Sequence, residues 1–170
     1  MTPLQKVAMG LVLTLADPEI AGYDAVPDVL GWVLVVLGLR GLGGRVGLST
    51  LMPLALLSGV VSLGLIRFEW LEVLPESTGW LLSLPQLAFS WVLCGEAAAV
   101  VGPDLARRFR GLRWAFLVAA VGPVLLYGGG VDVLLVPLAV IAVAANLYLV
   151  YLLFRASTEV HDARPGRPRS

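Results

Sequence analysis

Long apolar runs separated by short polar turns dominate this chain of 170 residues. Unpaired backbone amides are costly in lipid, so runs of this kind form helices when lipid surrounds them. A helix needs about 20 residues to cross a bilayer. Six spans are predicted, although the first two are short enough to be re-entrant or interfacial helices as well. The predicted spans are residues 4–16, 27–42, 48–66, 79–101, 112–127 and 131–154.

The spans predict an all-α fold, a polytopic transmembrane bundle of six helices arranged as three hairpins of one orientation. The polar segment 157–170 is rich in arginine and proline, and we expect a disordered tail there. A second interpretation of the start stays open, because Lys6, a short apolar run and the small residue Ala16 also fit a cleavable signal peptide. Cleavage would leave the orientation of the other spans unchanged.

The distribution of basic residues predicts the orientation, because Lys and Arg stay on the cytoplasmic side of short loops. If the amino terminus is inside, only Arg67 of the 12 basic residues falls outside. Acidic residues collect in the opposite loops. The sequence therefore predicts a multi-pass membrane protein with both termini in the cytoplasm.

Composition narrows the functional classes. The chain is 58% hydrophobic and 14% charged, and its formal net charge is zero, so no overall field attracts nucleic acid. Cys94 is the single cysteine and His161, in the polar tail, is the single histidine. An intramolecular disulfide, a His/Cys metal site and a Cys–His or Ser–His catalytic pair in the membrane are therefore not expected. We expect no cofactor and no enzymatic activity.

An internal repeat links two predicted helix entrances. Residues 24–34 and 72–82 both follow the pattern acid-x-aliphatic-Pro-acid-x-x-Gly-Trp-x-Leu, 48 residues apart. Proline suits a first helical position, and the acid after it meets the positive end of the helix dipole. The glycine permits close helix approach, and the tryptophan is expected at headgroup level. The repeat predicts related hairpins around an axis along the membrane normal, with a diverged third hairpin at residues 112–154.

The first copy of the repeat resembles a known pattern. Its Pro27-Asp28-x-x-Gly31-Trp32 stretch leads into an apolar run that reaches Gly38-Leu39. This is similar to small bacterial polytopic membrane proteins that carry a Pro-Asp-x-x-Gly-aromatic motif and have no assigned activity. The resemblance covers about twenty residues. It implies a bacterial cytoplasmic (inner) membrane protein and contributes no mechanism.

Three polar side chains within the spans are candidate functional residues, because such groups are costly in lipid. Glu96 is a candidate proton or cation ligand, or else it pairs with an arginine of the 107–113 loop or reaches headgroup water. Gln86 follows Pro85, which frees a backbone carbonyl, so it can line a cavity. Asn146 typically bonds a neighbouring helix. In one pocket, Gln86, Glu96 and Asn146 would form a polar path; otherwise the amides hold helices together.

The paired acids of the repeat form a second candidate site. Oxygen-rich clusters suit hard cations such as calcium, or a cationic substrate. The alternative is that these carboxylates complement helix dipoles and are otherwise solvated. The hypothesised outer cation site consists of Asp24, Asp28, Glu72 and Glu76.

Scarce reactive groups favour a structural or accessory membrane component. The alternative is a small transporter or channel with an acidic outer mouth above the polar path. Small residues at 58–64 are expected to form a packing face. The expected partners are the lipid bilayer and a membrane protein or a second copy of the chain; nucleic acid is not expected.

Overall fold

The computed structural model describes residues 1–16, 19–20, 23–24, 28–43, 47–66 and 76–162. Within these ranges the chain forms six helices, so the predicted all-α class is confirmed. The helices are α1 (Pro3–Ala16), α2 (Asp28–Leu42), α3 (Leu48–Ile66), α4 (Glu76–Val100), α5 (Pro103–Gly129) and α6 (Leu135–Asp162). Two short strands, β1 (Glu19–Ile20) and β2 (Tyr23–Asp24), pair antiparallel between α1 and α2. A 3₁₀ helix (Asp132–Leu134) precedes α6.

The helices form a closed ring. Each helix packs against its neighbours in sequence, and α6 packs against α1 to complete the circuit. The helix α1 is an integral part of this ring, because Leu4, Val7 and Leu11 are buried in the core. The three predicted hairpins are therefore present as packed pairs, and α2–α3 and α4–α5 are also in contact.

The second half of helix α3 buries its hydroxyl groups and exposes apolar side chains. It buries Ser58 and Ser62, which are only 3% and 8% exposed. Its outward face carries Leu57, Val60 and Leu63, each about half exposed or more. A helix at the surface of a water-soluble protein shows the reverse arrangement. Exposed leucine and valine side chains also occur along α2, α5 and α6.

Helix length separates the six elements into two groups. Helices α4, α5 and α6 are long and apolar enough to cross a membrane. Helices α1 and α2 have 14 and 15 residues, which gives each a length of about 21–23 Å at 1.5 Å per residue. Helix α3 has 19 residues. The helix count agrees with the prediction, whereas six complete crossings remain a prediction.

Helix contacts bring the described basic residues to one end of the ring. Gly38 near the end of α2 packs against Pro3 and Val7 of α1, and Gly47 before α3 bonds Glu96 near the end of α4. We call this the basic end; α2 and α4 begin at the opposite end. The described basic residues on this side are Lys6, Arg40, Arg107, Arg108, Arg110, Arg113 and Arg155.

Two helices extend beyond the predicted spans. Helix α5 begins at Pro103 rather than Leu112, so the arginines of the predicted 107–113 loop are helical. Gly102 precedes this start, Pro103 occupies the first turn and Asp104 complements the helix dipole there. Helix α6 continues to Asp162, so residues 157–162, expected to be disordered, are helical. Residues 163–170 lie outside the described part.

The two copies of the repeat begin helices but have different surroundings. Helices α2 and α4 start at the equivalent acids Asp28 and Glu76. Gly31 packs closely against α1, whereas Gly79 is exposed and no described residue lies where its side chain would be. The expected close approach is therefore correct for Gly31 and wrong for Gly79. Trp32 is 2% exposed and lies in the core rather than at a headgroup surface.

Glycines set the tightest contact of the ring, between α1 and α2. A Cβ atom at Gly10 would lie 2.5 Å from the Gly31 carbonyl oxygen. A Cβ atom at Gly38 would lie 2.8 Å from the backbone nitrogen of Val7. Backbone stands against backbone at both places, so a neighbouring side chain cannot make room by rotating. Helices in lipid approach this closely where small residues face each other.

Replacing Gly38 with leucine should force α1 away from α2. We expect Gly38→Leu to lower the free energy of unfolding by about 1–3 kcal/mol, the usual cost of overpacking. The measurement is unfolding in mixed micelles followed by circular dichroism. Gly111→Leu is the matched control, because a Cβ at Gly111 in α5 meets nothing within 4 Å. Equal stability of the two variants would contradict this packing.

Candidate functional site

A polar cavity of about 210 Å³ lies between α3 and α4, toward the end of the ring where α2 and α4 begin. We call it the serine cavity. Its lining residues are Asp28, Ser58, Val61, Ser62, Gly79, Leu82, Ser83 and Gln86. Serines one helical turn apart on α3, and Ser83 and Gln86 three positions apart on α4, place polar groups on the facing sides of these helices.

Hydrogen bonds divide the polar groups of the serine cavity into two kinds. The Ser58 hydroxyl donates to the Leu54 carbonyl at 2.9 Å, and the Ser83 hydroxyl donates to the Trp80 carbonyl at 2.7 Å. Both bonds stay within the donor's own helix. The side chains of Ser62 and Gln86 make no hydrogen bond with another described residue, so they can bond water or a small polar molecule.

Two aromatic rings lie about one helical turn farther toward the basic end than the cavity residues Gln86 and Asp28. Phe89 follows Gln86 by about one turn of α4, and Trp32 follows Asp28 by about one turn of α2. Their ring centroids are 5.3 Å apart and their planes meet at 83°, which is an edge-to-face contact. Phe89 is fully buried. Farther toward the basic end, Leu51 and Leu93 continue the buried core.

Glu96 lies beyond this aromatic layer and has a structural partner. Its Oε2 atom accepts a hydrogen bond of 2.8 Å from the backbone N–H of Gly47. The Gly47 carbonyl accepts the first backbone bonds of α3, from Thr50 and Leu51. The carboxylate therefore satisfies an amide at the start of α3 and lies at the positive end of its dipole.

Arg113, one of the arginines of the 107–113 segment from which a partner for Glu96 was expected, has another neighbour. The Arg113 guanidinium carbon lies 3.8 Å from the centroid of the Trp91 ring, a cation–π contact between α5 and α4. Among the described residues Glu96 makes no ion pair with an arginine. The interpretation of Glu96 as a structural carboxylate agrees with its hydrogen bond, but the expected arginine partner was wrong.

Asn146 bonds its own helix. Its Nδ2 atom donates to the Ala142 carbonyl at 2.9 Å, one turn earlier in α6, and the residue is 8% exposed. The sequence had led us to expect a bond to a neighbouring helix. The Asn146 amide instead satisfies its hydrogen bond within α6. Among the described contacts, none links this amide to a neighbouring helix.

The serine cavity brings together one member of each predicted site. Gln86 and Asp28 both line it, whereas Glu96 and Asn146 do not. Of the outer cation site, Glu72 lies outside the described residues, and the side chains of Asp24 and Glu76 are likewise outside the description. No cluster of three potential metal-ligating His, Cys, Asp or Glu side chains occurs among the residues that are described.

Sequence reasoning missed Ser62 and Ser83 as cavity residues. A packing face is expected at the small residues of α3, yet Ser58 and Ser62 line the cavity, whereas Gly59 lies against the Trp32 side chain. Serine spacing at one helical turn was the available signal. It does not distinguish packing from a cavity, because that depends on how closely the facing helix approaches.

Comparisons with protein-family models, with curated proteins and with solved structures find no match to this chain. Function therefore has to be inferred from the fold and the serine cavity.

Removing the Glu96 carboxylate should loosen the start of α3. We expect Glu96→Ala to speed hydrogen exchange of the Gly47 amide at least about tenfold, since a hydrogen bond to a charged group is lost. Glu96→Gln, which keeps an acceptor oxygen, should have a smaller effect. Amide exchange measured by NMR in micelles provides the test, with Glu159→Ala on α6 as control. Unchanged exchange at Gly47 in Glu96→Ala would refute the capping role.

Proposed function

We propose that this chain is a non-enzymatic accessory protein of the bacterial cytoplasmic membrane, with six helices in the bilayer and both termini in the cytoplasm. It acts through contacts with lipid and with membrane-protein partners or further copies of itself. The observation that carries this proposal is the filled core between the serine cavity and Glu96, where Trp32, Phe89 and Leu93 are all buried.

The inverted polarity of α3 supports a lipid environment for the shorter helices as well. In water, exposing Leu57, Val60 and Leu63 while burying two serines would be unfavourable, whereas lipid favours this arrangement. The buried serines are Ser58 and Ser62. The packing of α1 between α2 and α6 supports retention of the first helix rather than its removal as a signal peptide. A short helix can span where the bilayer is locally thinner, or where the side chains that flank it extend to the interface.

The grouping of basic residues supports the proposed orientation. Positively charged residues near span ends are retained on the cytoplasmic side. The basic end carries Arg40, the four arginines of α5 and Arg155 of α6. The opposite end is therefore the outer end in this orientation, and the serine cavity lies nearer to it than to the basic end.

A filled core favours the accessory role over conduction. A transporter or channel needs a polar path from one side to the other, at least in alternation. Buried apolar side chains separate Gln86 from Glu96 here, and the Asn146 amide bonds its own helix. The single histidine, His161, lies in the last turn of α6, and the single cysteine, Cys94, is buried, which leaves little for covalent catalysis among the described residues.

A small transporter is the second candidate, and the serine cavity is what favours it. Ser62 and Gln86 make no hydrogen bond with another described residue, so they can bond a polar ligand, and Asp28 lines the same cavity. In this alternative the cavity is an outward-facing binding site. Movement of Trp32 and Phe89 would be needed to extend it inward.

The orientation is testable in intact cells. In a Cys94→Ser background, Val133→Cys lies at the proposed outer end and Arg110→Cys at the basic end, and both positions are exposed. A membrane-impermeant maleimide should label Val133→Cys at once and Arg110→Cys only after permeabilisation. The reversed pattern would overturn the orientation, and equal labelling of both in intact cells would overturn the membrane placement.

Native Cys94 reports on the closed core. It is fully buried on α4, one turn beyond Ser90 and on the basic-end side of Phe89. We expect no labelling of Cys94 by a soluble maleimide in proteoliposomes, and ion flux no greater than that of empty liposomes. Ser62→Cys in the Cys94→Ser background is the positive control and should label, because Ser62 lines the serine cavity.

Labelling of Cys94 from solution, or flux above the empty-liposome rate, would contradict the accessory role and favour the transporter. Labelling that increases when an organic cation is added would specifically support alternation between open and closed forms.

A further inference from the structure

An apolar groove of about 280 Å³ runs between α2 and α3 on the outside of the ring. Its α2 wall extends from Val29 to Arg40, and its α3 wall includes Leu56, Val60 and Leu63. Apart from Arg40, every lining residue is apolar or glycine. The groove shares no lining residue with the serine cavity, and Trp32, which is 2% exposed, lines the groove.

The groove is concave because two small residues form part of its α3 wall. Gly59 and Ala55 are the small residues of the α3 wall, and Gly59 lies directly against the Trp32 side chain. Ala55 is fully buried. Elsewhere on the outer faces, leucine and valine side chains fill the corresponding space. In the groove this space is open, so a narrow apolar molecule fits.

The groove runs along most of α2, and its length suits one acyl chain. Val29 and Arg40 are eleven positions apart on α2, which is about 17 Å along the helix axis. A bilayer's hydrocarbon core is about 30 Å thick, so one leaflet is about 15 Å. A single acyl chain of the leaflet nearer the basic end therefore fits along α2 with its polar head beside Arg40.

Arg40 supplies charge complementarity at the end of the groove. Its side chain is exposed in the last turn of α2. Within the described part of the chain, its guanidinium makes no hydrogen bond or ion pair with a protein group. Guanidinium groups bind phosphate oxygens in a bidentate manner, and a basic residue at this level meets lipid phosphate in the adjoining leaflet.

We propose that this groove is a binding site for one anionic phospholipid, with an acyl chain between α2 and α3 and the phosphate on Arg40. The site rests on the proposed placement of α2 and α3 in the bilayer, and it is independent of whether the serine cavity conducts. A net negative headgroup is favoured over a zwitterionic one, because the latter brings a cationic ammonium close to the guanidinium.

Titration of the delipidated full-length protein with phosphatidylglycerol in mild detergent, read by native mass spectrometry, tests the site. We expect one phosphatidylglycerol per chain to bind more tightly than phosphatidylcholine. Arg40→Gln should weaken phosphatidylglycerol binding about fivefold, the contribution of one basic side chain at an anionic surface. Arg40→Lys should retain most of the binding.

A second pair of variants tests the groove itself. Val60→Phe places a ring in the groove from a position that is 63% exposed, so the core is left intact. It should abolish binding of the single tight lipid. Val140→Phe on α6, at a position 61% exposed and outside the groove, is the matched control and should bind like the wild type. Arg155→Gln is the corresponding control for charge.

Several outcomes would overturn the site. These are equal binding of the two lipids, wild-type binding by Arg40→Gln or Val60→Phe, and equal weakening by Arg40→Gln and Arg155→Gln. A protein dimer that Val60→Phe dissociates would assign the groove to a second copy instead.

A labelling control separates this failure from failure of the proposed membrane placement. Val33→Cys in the Cys94→Ser background lies in the groove. Protection from a soluble maleimide in vesicles, together with unchanged lipid binding by the variants, would refute the lipid site alone. Labelling of Val33→Cys would refute the placement of α2 in lipid.

Discussion

Polar groups in this protein are satisfied mainly within the helix that carries them, and the rest of the structure depends on this constraint. The side chains of Thr14, Ser58, Ser83, Asn146 and Ser157 all donate to a carbonyl three or four positions earlier. A helix whose polar side chains bond its own backbone carbonyls can present apolar surface on every side. Association of the helices then rests on shape, and glycines at the α1–α2 contact provide it.

Few hydrogen bonds of the described part link one helix to another, and their positions are informative. Trp80 donates from α4 to the Ala120 carbonyl of α5 at 3.1 Å, and Glu96 accepts from the amide before α3 at 2.8 Å. These bonds hold α4 to its two ring neighbours at opposite ends. Helix α4 is therefore fixed in register on both sides, which keeps Phe89 opposite Trp32.

Apolar length was enough to predict most of the helices, because each run in lipid must be helical. Helix α3 begins and ends at the predicted residues, and α2 differs by one residue at its start. The polar beginning of α5 could not be predicted from apolar length, since arginines interrupt its apolar residues; the helical spacing of Leu105 and Phe109 was the available signal. Gln86 was recognised from its cost in lipid. The partner of Glu96 could not be predicted, because it is a backbone amide far away in sequence, and any residue other than proline has such an amide.

Trp32 lines the α2–α3 groove and lies about one helical turn beyond Asp28, which lines the serine cavity. Its ring meets Phe89 edge-on, and its Cβ atom lies against Gly59, so its position depends on α2, α3 and α4 together. Any inward extension of the cavity requires one of these two rings to move. Displacement of Trp32 would alter the groove at the same time, whereas rotation of Phe89 alone would not. Lipid in the groove would therefore favour the closed arrangement by occupying the space on the far side of Trp32, which is the form that an accessory membrane protein needs.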